Sequence, residues 1–294
     1  MKKRLTLTLN QDLSKNLVKT KADALVIGVN EGRVLNTISA SVDAATNGAI
    51  KKLIKRGEFE AKVGQASYIA TNDGVAAERI YLIGLGKSKK SLSNDDLDKI
   101  SSAITNSLSA KKSSSGLVSL PLSSYDAKDL NDSSFLQKLG TSLESRAYTY
   151  DAKLNKKNKS VNHLKKVSIS IESNESVAKL RKSLRVGQVI GQGMNVAKDL
   201  ANLPGNVCTP SYLASTSRSA ANKFEKLSCR VYGEKEMKKM GMDCLLSVGN
   251  GSAEESKLIS MTYQGGKKGD RPYAIVGKGI TFDTGGISLK PPAT

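Results

Sequence analysis

The sequence predicts an α/β protein of two domains, and three observations carry that prediction. First, Ala24 to Val29 and Ile80 to Gly84 are continuous apolar runs, the pattern of strands buried on both faces. Second, segments with apolar residues at helical spacing lie between such runs, so strand and helix alternate. Third, the chain has 294 residues, and a domain takes about 100–200.

The elements follow in order. Leu5 to Leu9 alternates with a period of two and predicts a strand; Ala24 to Val29 predicts the next. Ser41 to Lys55 carries Ala44, Ile50, Leu53 and Ile54 at helical spacing and ends near Gly57. Arg79 to Gly84 is another buried strand. Ser93 to Ser109 predicts a helix with Ser93 as N-cap, and Asp95, Asp96 and Asp98 complement the positive end of its dipole. Leu117 to Leu120 is a short strand and Ser133 to Tyr148 a further helix. Asp151 to Lys166, rich in Lys, Asn and Ser, breaks the alternation and reads as a solvated connection.

Val167 to Ile171 resumes strand character. Asn174 to Leu203 predicts a long helix with Asn174 as N-cap. Its small residues Gly187, Gly191, Gly193, Ala197 and Ala201 predict close packing against a neighbour. Pro204-Gly205-Asn206 stops it. Thr209 as N-cap and Pro210 at the first helical position open the next helix. Leu258 to Tyr263 and Tyr273 to Gly277 predict two more strands. The predicted domains are residues 1–165, ending in the basic connection over about 151–165, and residues 166–294.

Composition narrows the function classes. Apolar residues make up 38%, aromatics 4%, and Trp is absent, so the cores rest on Leu, Ile, Val and Ala. The net charge of +19 favours solubility and attraction to polyanions. It is uneven: Asp151 to Leu200 holds 11 Lys or Arg against 4 acids. Aromatics do not interleave with those charges, so base stacking has no support there. Cys208, Cys229 and Cys244 form no C-x-x-C pair and read as reduced thiols. Met1-Lys2-Lys3-Arg4 is basic, but an alternating segment follows in place of the apolar run of a signal peptide. No stretch approaches the roughly 18 apolar residues of a membrane-spanning helix. The expected location is the cytoplasm.

Gly84-Leu85-Gly86-Lys87-Ser88 follows a strand and invites comparison with phosphate-binding loops. A P-loop would need Gly at position 81, which is Tyr81. A dinucleotide fingerprint would need Gly at position 89, which is Lys89. The segment reads as a strand-ending turn. His163 is the single histidine and sits in the basic connection. H-E-x-x-H zinc chemistry is therefore excluded within this chain, and a Ser-His-Asp triad is disfavoured. Any metal site must use oxygen ligands and amines.

That directs attention to Val276-Gly277-Lys278-Gly279-Ile280-Thr281-Phe282-Asp283-Thr284-Gly285-Gly286-Ile287-Ser288-Leu289-Lys290. An apolar run leads into a Gly-rich turn, and ligands of open α/β sheets gather at the carboxyl ends of strands. A lysine desolvated near a cation can lose its proton and ligate as an amine. Asp283 is a hard oxygen donor able to bridge two divalent ions. Two readings stand on these residues alone: a metal or anion site, or a Gly-rich turn with solvated lysines.

The same stretch closely resembles the metal-binding signature of the leucyl aminopeptidase, or cytosol aminopeptidase, family: V-G-K-G-[IL]-T-F-D-[ST]-G-G-[IL]-S-[IL]-K. Ala197 to Pro210 resembles the family's A-[RK]-D-L-x-N-x-P-x-N segment. Gly241-Met242 with Leu246 to Ser252 resembles its G-M-x-x-x-L-x-V-G-x-G-S segment. Asp43 to Gly48 and Gly57 to Gln65 resemble its N-terminal domain. The likeness extends along essentially the whole chain and is nearest to the bacterial aminopeptidase A type.

The resemblance implies a macro-like α/β domain followed by the opening portion of an α/β metallopeptidase catalytic domain. It implies two divalent ions, Mn²⁺ or Zn²⁺, with Lys278 as a ligand, Asp283 as the bridging ligand and Lys290 as the catalytic lysine beside the scissile carbonyl. It further implies peptide substrates, leucine-type release, a cytoplasmic location and a homo-oligomer, hexameric in the family. In the family, a further aspartate, an Asp-x-Glu pair and an arginine follow the signature, whereas this sequence closes at Pro291-Pro292-Ala293-Thr294. The expectation is therefore a C-terminally truncated member, inactive alone, with apolar edges exposed and solubility lowered. Some bacterial members also bind DNA, so the alternative expectation is a DNA-binding accessory protein that uses the basic surface.

Overall fold

The computed structural model describes residues 5–32, 34–70, 74–88, 92–109, 113–121, 132–150, 164–267 and 269–282. The chain divides into two compact units, Met1–Ala197 and Lys198–Thr294.

The first unit opens with β1 (Thr6–Leu9) and a 3₁₀ stretch (Gln11–Lys19) kinked at Asn16. Then come β2 (Ala24–Val29), α1 (Thr37–Ala45), α2 (Ala49–Lys55), β3 (Ala66–Ile69) and β4 (Ile80–Gly84). α3 (Asn94–Ser109), β5 (Ser115–Leu120), α4 (Asp132–Arg146), β6 (Lys166–Ile171) and α5 (Val177–Ala201) complete it, with α5 running through the division. The six strands form one sheet in the order β1-β6-β5-β2-β4-β3. All neighbours are parallel except β3, which runs antiparallel to β4.

Side-chain alternation sorts the apolar residues to the two faces of this sheet. Ala24, Val26, Tyr81, Ile83, Val118 and Leu120 join one cluster with α3, α4 and α5 residues such as Ile104, Phe135 and Leu184. Leu25, Ile27, Val29, Ile80, Leu82 and Leu117 join the other with Leu17, Val42, Ile50 and Phe59. Helices therefore cover both faces, which explains why β2 and β4 read as continuous apolar runs.

The sequence division at 165/166 does not coincide with the boundary between the units. β6 pairs with β1 on one side and β5 on the other, which ties it to the first unit. The single helix expected over Ser41 to Lys55 is two, because Gly48 stands at φ 76° as the N-cap of α2 and turns the chain. The predicted cap of α3 is present: Ser93 Oγ accepts from the Asp96 N–H at 3.1 Å, and the Asp96 carboxylate accepts from the Ser93 N–H at 3.0 Å. At α5 the cap is Ser176 in place of Asn174, its hydroxyl oxygen accepting from the Lys179 N–H at 3.4 Å. Of the small residues in α5, a side chain at Gly187 or Gly191 would collide with α4, whereas Gly193 faces open space.

The second unit holds α6 (Pro210–Ala221), β7 (Leu227–Tyr232), α7 (Glu234–Lys239), α8 (Asp243–Gly249) and β8 (Leu258–Tyr263). β7 and β8 pair antiparallel, with Cys229 opposite Met261 and Val231 opposite Ile259, and α6 packs on this ribbon. Its buried apolar residues, among those described, are Cys208, Ala214 and Met237. No described helix is long and apolar enough to cross a membrane.

Asp23 pins the start of β5 to that of β2. Its carboxylate accepts from the backbone N–H and hydroxyl of Ser114 and, at 3.2 Å, from the Ser115 N–H. The Ser114 N–H above all holds this carboxyl below the ordinary aspartate value of 3.8. A group whose pKa is lowered by folding contributes stability that is present above its unfolded value and lost as pH falls through its folded value. Wild type should therefore be more stable than Asp23→Asn in urea melts at pH 7, and the difference should shrink at acid pH, once the pH falls below the ordinary aspartate value of 3.8. An equal difference at both pH values would contradict this role.

Candidate functional site

The residues singled out in the sequence fall in the second unit. α5 ends in hydrogen bonds from Asn202 N–H to Lys198 O and from Leu203 N–H to Leu200 O, at 3.0 and 3.2 Å. Pro204 then breaks the pattern, as its missing N–H requires. Val207 and Cys208 both donate to Pro204 O at 2.9 Å, which folds residues 204–208 into a tight turn. Thr209 Oγ1 accepts from the Tyr212 N–H at 3.2 Å and Pro210 occupies the first turn, so α6 starts as predicted.

The approach to β8 is fixed by carboxylates. The Glu234 N–H donates to Glu255 Oε1 and the Ser256 N–H to Glu234 Oε1, each at 2.9 Å. The hydrogen bond from Lys257 holds the Glu255 carboxyl below its ordinary value, followed by that from the Glu234 N–H.

Tyr273 to Gly277 is not a strand. It pairs with no strand among the described residues, and Tyr273, Ile275 and Val276 are 101%, 98% and 96% exposed. A strand is defined by the ladder a partner provides, and local apolar character does not supply one. Lys278 follows on this exposed stretch. Nothing lies within 4 Å of where a side chain would start at Gly277 or Gly279. Phe282 and Thr281 behave differently and lie against Gly205. Asp283, Lys290, Gly285 and Gly286 lie outside the described residues, as do His163 and most of the basic connection.

Among the described residues no group of three or more His, Cys, Asp or Glu side chains could hold a metal ion. The sequence reading used Gly205 only as part of the Pro204-Gly205-Asn206 helix stop; the further signal was the N-x-P-x-N resemblance, which spans it. Gly84 to Ser88 is the strand-ending turn expected, with the Gly86 N–H donating to Ala61 O and Gly86 O accepting from the Glu31 N–H, both at 2.9 Å.

Residues 26–157 match the N-terminal domain of the cytosol aminopeptidase family, and residues 195–294 match its catalytic domain. A probable cytosol aminopeptidase of Alkalilimnicola ehrlichii is 38% identical over 283 residues, covering 95% of this chain and 56% of that protein. One from Pseudomonas syringae pathovar tomato is 36% identical, over 93% of this chain and 54% of its own length. Among solved structures, a mutant of tomato leucine aminopeptidase superposes with a TM-score of 0.75 at 18% identity, over 96% of this chain and 55% of that one. The bottromycin maturation enzyme BotP in complex with Mn gives 0.60 at 20% identity, over 83% and 45%. The chain thus spans about half the length of the curated relatives it matches.

The exposure of residues 273–276 has a direct consequence. Val276→Ser should change unfolding stability by no more than about 0.5 kcal/mol, as surface substitutions do. Ile27→Ser in the core of the first unit should cost several times that. A Val276→Ser loss above about 2 kcal/mol in urea melts would show that this stretch is packed.

Proposed function

Because the chain belongs to the cytosol aminopeptidase family, we propose that it carries part of a metal-dependent aminopeptidase site releasing N-terminal residues, leucine among them, from peptides. The observation that carries this is the catalytic-domain match over 195–294, within which the signature from Val276 to Lys290 stands complete. Leucine aminopeptidase as a structural neighbour, and a neighbour solved with Mn, support the same reading.

The donor chemistry fits part of a two-ion site. Lys278 offers an amine and Asp283 a carboxylate, both suited to Mn²⁺ or Zn²⁺. Two donors are too few for two ions that each take about four to six ligands, so these residues are a share of the ligand set. Bound divalent ions would supply Lewis acidity and a water acidic enough to ionise near neutral pH. Lys278 and Asp283 would hold the ions. Lys290 would place a fixed positive charge beside the scissile carbonyl oxygen, where negative charge develops. A cytoplasmic homo-oligomer, six-membered as the resemblance implies, belongs to the same proposal.

Leucine release from leucinamide by the full-length gene product, with Mn²⁺ or Zn²⁺ added, tests this. Asp283→Ala should lower turnover at least about 100-fold, the scale expected when charge stabilisation in an active site is lost. Undiminished turnover would sink the assignment.

The net charge of +19 favours a second reading, nucleic-acid binding through the basic stretch Lys153 to Lys166. Affinity for duplex DNA should then fall steeply between about 50 and 200 mM salt, and weaken when Lys156, Lys157 and Lys159 are neutralised. Binding indifferent to salt would dismiss it.

A further inference from the structure

One face of α5 is packed within the first unit. Leu180 and Leu184 are buried, and Gly187 and Gly191 lie against Gln137 and Glu144 of α4. The buried Gln188 amide donates to Leu5 O at 2.7 Å and to Glu144 Oε2 at 3.0 Å. The opposite face changes character halfway along the helix. Its first half carries Lys179 and Lys182, both exposed, as a solvated face should. From Val186 onward the helical spacing brings Val186, Val189, Ile190, Gly193, Met194 and Ala197 to the same side, with no charge among them. Val186, Val189, Ile190 and Met194 are 39%, 50%, 42% and 44% exposed, and nothing lies within 4 Å of where a side chain would start at Gly193. A helix that is apolar on opposite sides is one that is covered on both, and here the second cover is absent.

The position of the stripe points to what covers it. It occupies the half of α5 that runs into residue 195, where the match to the catalytic domain begins. This chain covers 56% and 54% of the two relatives described above, so close to half of each relative lies outside the match. We propose that the stripe from Val186 to Met194 is a docking face for the part of the catalytic domain that those relatives carry and this chain does not. An exposed apolar face of this kind marks an interaction site, and α5 would then be packed by the first unit on one side and by the remaining catalytic chain on the other.

The test compares Ile190→Ser in the full-length gene product and in the 294-residue chain, with Lys182→Ser on the charged half of the same face as control. Melting temperatures are measured without added metal, so the outcome does not depend on the proposed metal site. Ile190→Ser should lower the melting temperature of the full-length protein by about 5 °C or more, as a polar group placed in an apolar contact does. In the 294-residue chain it should lower it by no more than about 1 °C, and Lys182→Ser should change neither protein by more than that. If full-length Ile190→Ser does not fold, Ile190→Ala decides, with a smaller fall confined to the full-length protein. A full-length protein indifferent to Ile190→Ser would overturn the proposal. So would an equal fall in both proteins, which would place the cover within the 294 residues. Sedimentation velocity separates the remaining case: the variant should keep the wild-type assembly size, and a smaller assembly would assign the face to a second copy and overturn the proposal.

Discussion

Leu25, Ile27 and Val29 face one side of the six-stranded sheet, Ala24 and Val26 face the other, and all five are sealed from solvent. Each large apolar side chain buried this way contributes about 1.5–3 kcal/mol before the entropy of ordering is counted. β2 is the strand through which both cores pass, because β4 pairs on one side of it and β5 on the other. Shifting it by one residue would exchange its two faces and leave neither cluster filled. The register Ile27–Leu82 and Ile27–Ser119 therefore fixes β4 and β5, and β5 in turn fixes β6 and β1.

The second unit is organised differently. Cys208, Ala214 and Met237 are its buried apolar residues among those described, and its ribbon has two strands. A two-stranded ribbon alone is marginal in water. Order there depends on local devices: the Thr209 cap of α6, the Glu234–Ser256 and Glu255–Glu234 hydrogen bonds, and the turn at Pro204. The signature lies in this unit, so the chemistry proposed for the chain sits where fewer buried contacts hold the backbone. Few contacts therefore hold the described part of the segment, that of Thr281–Phe282 with Gly205 among them.

Much of the first unit was legible in the sequence, because burial on both faces leaves continuous apolar runs and because Ser93 and Asp96 write their cap into neighbouring positions. The placement of β6 was not, since its partners lie about 160 and 50 residues away in β1 and β5 and no local pattern names them. The break at Gly48 was missed because Ile50, Leu53 and Ile54 continue the helical spacing of Ala44 across it. Tyr273 to Gly277 reads as a strand in isolation but meets no partner among the described residues. For the site, Lys278, Asp283 and Lys290 drew their roles from the family resemblance, whereas the contact of Gly205 with Thr281–Phe282 is long-range and needed the fold.

Native-state hydrogen exchange tests most directly the claim that β2 organises the stable part of the chain. The amides of Leu25 to Val29 and Ile80 to Gly84 should exchange only through global unfolding, while those of Leu258 to Tyr263 exchange faster through local opening. Protection of Leu258 to Tyr263 equal to that of Leu25 to Val29 would contradict the account.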